Sequence, residues 1–159
     1  PTANRQLPTA DWSPQINLGL SVLIPESYID DLELRLGLYR RAANLDNEAD
    51  IESFAAELID RFGPLPEETK TLIDTLQLKL LCKRGGIERL DVGPKGAVIS
   101  FRENKFSNPD ALLAYIAKHR DLKARPDQKL VLTKEWRTDD EKLATVKKLV
   151  GEIGKLTLS

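Results

Sequence analysis

Apolar positions along this 159-residue chain fall into two rhythms, one of period two and one near 3.6. In "INLGLSVLIP", Ile16, Leu18, Leu20 and Val22 alternate with other residues, which predicts a strand closed by Pro25. "PESYIDDLELRLGLYRRAA" then carries Ile29, Leu32, Leu36, Tyr39 and Ala43 at helical spacing, with Leu34 and Leu38 on a second side. "DNEADIESFAAELIDRFG" predicts a second helix with Asn47 as N-cap and Ile51, Phe54, Ala55, Leu58 and Phe62 as its buried stripe. Gly63 and Pro64 stop it, since glycine accepts a left-handed backbone and proline cannot continue a helix. Pro66, Glu67 and Glu68 open a third helix, with Leu72, Ile73, Leu76 and Leu80 on one face and Leu78 and Leu81 on another; Gly85 and Gly86 end it.

Beyond Gly86 the rhythm changes. "IERLDVGPKGAVISF" is two short runs joined by Gly93–Gly96, a hairpin in which Pro94 presets the turn and Gly96 can take positive φ. A helix starts at Asn108 with Pro109 in its first position, "KLVLT" forms another strand, and Thr138 with Glu141 makes the capping box of a closing helix. The expected class is α+β: three consecutive helices, a small sheet of about four strands including the hairpin, and two further helices. Residues 1–15 read as a linker or tail, 16–155 as one domain and 156–159 as a frayed end. The chain begins at Pro1 and contains no methionine, so it reads as a piece of a longer protein.

Composition narrows the picture. At 41% hydrophobic and 31% charged residues the chain is that of a globular protein, and no apolar run approaches the ~20 residues that cross a bilayer. A single cysteine, Cys82, excludes an internal disulfide and suits a reducing, cytoplasmic setting. The net charge of −1 hides an asymmetry: residues 25–78 hold 5 Lys/Arg against 13 Asp/Glu, and residues 79–134 hold 13 against 6. Two electrostatic faces result if these halves separate in space.

Catalytic chemistry has little to work with. His119 is alone between Lys118 and Arg120, and one His with one Cys cannot make a zinc site of the usual ligands. No G-x-S-x-G elbow is present, and "GPKGAV" lacks the spacing of a Walker loop. No cofactor or metal is expected in this chain. Asp139, Asp140 and Glu141, like Asp30 and Asp31, complement helix N-termini. Glu57 and Asp60 differ, because they lie on the exposed side of the last two turns of a helix, where negative charge opposes the macrodipole. Arg61 offsets part of that. An acid pair so placed points to a partner carrying Arg or Lys. A rival reading takes Lys79, Lys83, Arg84, Arg89, Lys95, Arg102 and Lys105 as a DNA-contacting patch, with Phe101 and Phe106 as the candidate stacking platforms.

The motifs I-P-x-x-Y-I, in "IPESYIDDLELRLGLYRR", and E-L-x-D-R-F-G-x-L-P, in "ELIDRFGPLP", followed by "GI" and the hairpin "GPKGAVISF", resemble the C-terminal domain of the bacterial transcription-repair coupling factors. The resemblance is good from about Leu18 to Phe101 and thinner to about Ile153; Gly37 and Gly85 depart from it. It implies a parent that is an ATP- and magnesium-dependent DNA translocase, displacing stalled RNA polymerase and recruiting excision repair through UvrA. The motor and the UvrB-like module would lie elsewhere in that parent. The resemblance further implies an autoinhibitory lid that clamps onto the UvrB-like module and masks the UvrA-binding surface, through acids matching Glu57 and Asp60, with Arg61 beside them.

Overall fold

The computed structural model describes residues 12–157. The elements run β1 (Gln15–Asn17), α1 (Leu32–Ala43), α2 (Glu48–Phe62), α3 (Glu67–Arg84), β2 (Ile87–Gly93), β3 (Gly96–Phe101), a 3-10 turn (Arg102–Asn104), α4 (Pro109–Ala117), β4 (Leu122–Ala124), β5 (Leu130–Thr133) and α5 (Asp139–Leu156). This is the α+β arrangement expected, with one more strand. The mixed sheet has the order β1-β2-β3-β5-β4, parallel only between β1 and β2.

Two hydrophobic cores share one helix. On one side of α3, Leu72, Ile73 and Leu76 pack with Leu38 and Ala42 of α1 and with Ile51, Phe54 and Leu58 of α2. On the other, Leu78 and Cys82 pack with Leu90, Ile99 and Leu130 of the sheet and with Val146, Val150 and Ile153 of α5. Sequence shows why: α3 is apolar on two faces displaced along its length, so it needs two partners rather than one. The segment between β1 and α1 makes the same crossing, with Leu18 in the sheet core and Ile24 and Ile29 in the helical core. Buried Lys142 donates from Nζ to the Leu18 carbonyl at 2.9 Å, and buried Thr69 donates to the Leu23 carbonyl at 3.0 Å, so polar bonds pin this crossing at two points.

Three local expectations need correction. The first strand stops at Asn17 instead of Pro25. Asn17 Oδ1 accepts from the Gly19 amide at 3.0 Å and Gly19 takes φ +67°, which turns the chain away and leaves Val22 and Leu23 exposed. α1 begins at Leu32, capped by Asp31, whereas Pro25–Ile29 is a turn in which the Tyr28 and Ile29 amides donate to the Pro25 carbonyl. Ile29 is therefore buried without belonging to the helix, and it gave the predicted stripe the wrong phase: Leu38 and Ala42 face the core while Leu32 and Leu36 stand 57% and 41% exposed. β4 escaped notice because its three residues sit among "DLKARPDQK", the charged and proline-bearing surroundings that protect a short edge strand.

The tail expected at 1–15 and the frayed end expected at 156–159 lie largely outside the described residues, but the predicted caps are formed. Asn47 caps α2 by accepting from the Asp50 amide at 2.8 Å. Thr138 accepts from Glu141 N at 3.0 Å; the return bond of the box reaches Arg137 N at 3.3 Å, one residue earlier than expected. In β2 a bulge between Ile87 and Arg89 lets Ile87 and Leu90, three residues apart, both enter the core.

Gly96 adopts φ +140°, and a Cβ there would lie 1.8 Å from the Leu132 carbonyl oxygen of the neighbouring strand. Gly96→Ala should lower stability by roughly 3 kcal/mol or more in denaturant titration. A Cβ added at Gly37 would meet only the Arg40 guanidinium, at 3.9 Å, so no close approach demands glycine there, and Gly37→Ala should raise stability by about 0.5–1 kcal/mol in the same measurement. Cys82 is fully buried, which pushes its thiol up to about 12; it should resist alkylation at pH 8 until denaturant unfolds the sheet core.

Candidate functional site

The corner after α2 is built by its aromatic residues. Gly63 takes φ +95° and its amide closes the helix onto the Ile59 carbonyl at 2.9 Å. The Tyr28 hydroxyl lies 2.7 Å from the Gly63 carbonyl and 3.1 Å from that of Leu58, so its one proton ties the turn before α1 to the end of α2. Tyr28 also meets Phe62 edge-to-face at 5.9 Å.

Glu57 sits at the margin of the exposed side, its side chain 34% accessible. Arg41, from the last turn of α1, grips both its oxygens, Nη1 to Oε2 at 2.9 Å and Nη2 to Oε1 at 2.8 Å. Arg61, one turn on, donates to Oε2 at 3.0 Å. Each guanidinium also lies over a phenylalanine, Arg41 over Phe54 at 5.3 Å and Arg61 over Phe62 at 4.9 Å. The bonds from Arg41 and then Arg61 hold the Glu57 carboxyl down at about 2, against an ordinary 4.5. Because the charges are partly exposed, water screens the cluster and its stabilisation is about 1 kcal/mol or less.

Asp60 stands apart. It is exposed and makes no side-chain hydrogen bond or ion pair among the described residues. At about 170° from the centre of the buried stripe it points straight out, next to Ile59, which is 49% exposed. Of the three residues singled out from sequence, Glu57 and Arg61 are thus joined and Asp60 is free. Arg41 was missed, because its partner lies 16 residues away on another helix and no local spacing announces the pair. Ile59 was missed as well; its signal was an apolar residue lying outside the stripe.

Four of the seven cations of the rival reading have identifiable neighbours within the domain. Lys83 and Arg102 flank the Trp12 ring at 6.0 and 5.0 Å, Arg84 packs its methylenes 3.6 Å from the position of a Gly154 Cβ, and Arg89 is tied to Asp91 at 2.7 Å. Phe101 is buried, with Phe106 edge-on against it at 5.1 Å, so these rings serve the core. Among the described residues no group of three His, Cys, Asp or Glu is placed to hold a metal ion, and no helix is long and apolar enough to cross a membrane.

The TRCF domain family matches residues 18–112. The chain is 47% identical over 123 residues to the transcription-repair-coupling factor of Rickettsia prowazekii (strain Madrid E), covering 77% of this chain and 11% of that protein. It is 36% identical over 104 residues to the transcription-repair-coupling factor of Escherichia coli (strain K12), covering 65% of this chain and 9% of that protein. The chain thus spans about a tenth of the length of these relatives. A crystal structure of the C-terminal domain of a transcription-repair coupling factor superposes with a TM-score of 0.70 at 19% identity, over 91% of this chain and 95% of the other, a likeness of fold. The family match, which takes in α1 to α3, the hairpin and the α2 corner, places this chain in the TRCF domain family.

Proposed function

We propose that this chain is a non-catalytic regulatory domain that docks, through the exposed end of α2, onto a basic surface of a neighbouring module in the same parent protein. The observation that carries the proposal is Asp60: an outward carboxylate without a cation of its own among the described residues, in a helix turn that disfavours negative charge, beside an exposed isoleucine. An arginine from a partner would complete the ion pair while Ile59 buried apolar area against it. Glu57 contributes as part of a prearranged cluster, its two arginines already in place, so an incoming cation would share Oε1, which accepts one bond where Oε2 accepts two, rather than claim a free carboxylate.

Membership in the family gives the partner its identity in this reading. The surface is a UvrB-like module, docking masks the site for UvrA, and the parent is an ATP- and magnesium-dependent DNA translocase that acts on stalled RNA polymerase in transcription-coupled repair in the cytoplasm. Undocking is a population shift, in which any ligand that prefers the undocked state exposes the masked surface. A small, polar contact suits a lid that must open at accessible energy.

Asp60→Arg should weaken binding of this chain to the isolated UvrB-like module by tenfold or more in titration calorimetry, and wild-type affinity should fall with added salt. In the full-length parent, Glu57→Ala with Asp60→Ala should raise UvrA binding in the absence of stalled polymerase; unchanged UvrA binding would refute the docking assignment. The Glu57 cluster has its own signature. A carboxyl whose folded value lies below its unfolded one stabilises the fold above pH 4.5, and that contribution disappears as pH falls through about 2. Glu57→Gln should therefore cost up to about 1 kcal/mol at pH 7 in chemical denaturation, and the difference should close as the pH approaches 2.

A further inference from the structure

A second surface lies on the sheet half, far in sequence from α2. A groove of about 380 Å³ opens between the C-terminal end of α4, the start of β4, the end of β5 and the Thr145–Glu152 face of α5. Four cations line it: Lys118 and Arg120 after α4, Lys134 after β5, and Lys148 on α5. None of their side chains makes a hydrogen bond or ion pair among the described residues. Two acids share the lining, Asp121 and Glu152, and Glu152 is already engaged by the Tyr115 hydroxyl. Basic residues after a helix are favoured by its dipole, which accounts for Lys118 and Arg120. It does not account for Lys134 and Lys148, which other elements bring to the same groove.

The groove also holds a stacked pair of rings. His119 lies on Tyr115 with centroids 4.1 Å apart and planes 26° from parallel. Both rings are fixed: Nδ1 of His119 is 2.7 Å from the Tyr115 carbonyl, and the Tyr115 hydroxyl bonds Glu152. His119 is exposed, so one ring face is taken by Tyr115 and the other stays open to a ligand. A rigid stack rimmed by unpaired cations is what a single strand of nucleic acid needs: a flat π-surface for a base and positive charge along the backbone. The stacking platform sought among the phenylalanines is supplied instead by a tyrosine and the chain's single histidine.

The geometry points to a binding site for single-stranded nucleic acid in this groove, with His119 on Tyr115 as the base platform and Lys118, Arg120, Lys134 and Lys148 as phosphate contacts. The site is separate from the α2 corner and does not depend on the docking role assigned there. Duplex recognition is disfavoured, since paired bases cannot reach a platform set within a groove.

Fluorescence anisotropy of a labelled oligothymidylate of about a dozen nucleotides with the 159-residue chain tests this. Binding at about 50 mM salt should weaken with a log–log slope near −3, from four contacts at about 0.7 each. Lys134→Gln with Lys148→Gln should halve that slope, whereas Lys70→Gln, on α3 in the helical half, should leave it unchanged. His119→Ala should weaken binding about tenfold at unchanged slope, and His119→Phe should restore it. A single-stranded RNA of the same length, bound as well or better, would support the site and identify the sugar it prefers. Binding absent at low salt, a duplex bound as tightly as the single strand with His119→Ala silent, or a free mononucleotide competing as well as the strand would each overturn the proposal.

Discussion

Everything in this domain depends on α3 being apolar on two faces that point to different partners. A helix with one stripe would serve a three-helix unit or a helix-backed sheet, but not both. Because Leu72 and Leu76 belong to the helical core while Leu78 and Cys82 belong to the sheet core, neither half can complete its packing without the other. The crossing segment from Leu18 to Ile29 repeats the constraint in extended form, and the bonds from Lys142 and Thr69 fix where it lies. The electrostatic asymmetry read from composition follows this division, the acidic residues falling on the helical part and the basic ones on the sheet part.

Regular periodicity was the legible part. α2 could be drawn from sequence with its cap, stripe and stop because one face is buried, one is wet, and Asn47 and Gly63 mark the ends chemically. The hairpin was equally clear from Gly93–Gly96. What failed was phase and pairing. Ile29 is buried by a turn rather than by a helix, so its inclusion rotated the stripe of α1; β1 ended early because Asn17 and Gly19 build a turn inside an alternating run. In both cases local hydrogen bonding overrode hydrophobic spacing, the competition that Asn, Gly and Pro exist to win.

The candidate site shows the same boundary. Orientation on a helix follows from residue number, so the outward Asp60 was visible in advance. Partnership across helices does not, so the Arg41–Glu57 fork was not. The groove on the sheet half was wholly hidden: its cations come from α5 and from the segments after α4 and β5, and its rings are four residues apart at the end of a short helix, where sequence reads only a solitary histidine.

Glu57 carries its counter-ions with it, and this shapes what the domain is like when nothing holds it. A latch made only of bare acids would, on letting go, present an adhesive patch to any basic protein nearby. Here two guanidiniums, one from α1 and one from α2, already neutralise one of the two carboxylates and lie over phenylalanine rings of α2, so Asp60 alone keeps a bare charge on this face. Under the proposed docking, the same few side chains set the charge of this face both when it is bound and when it is free.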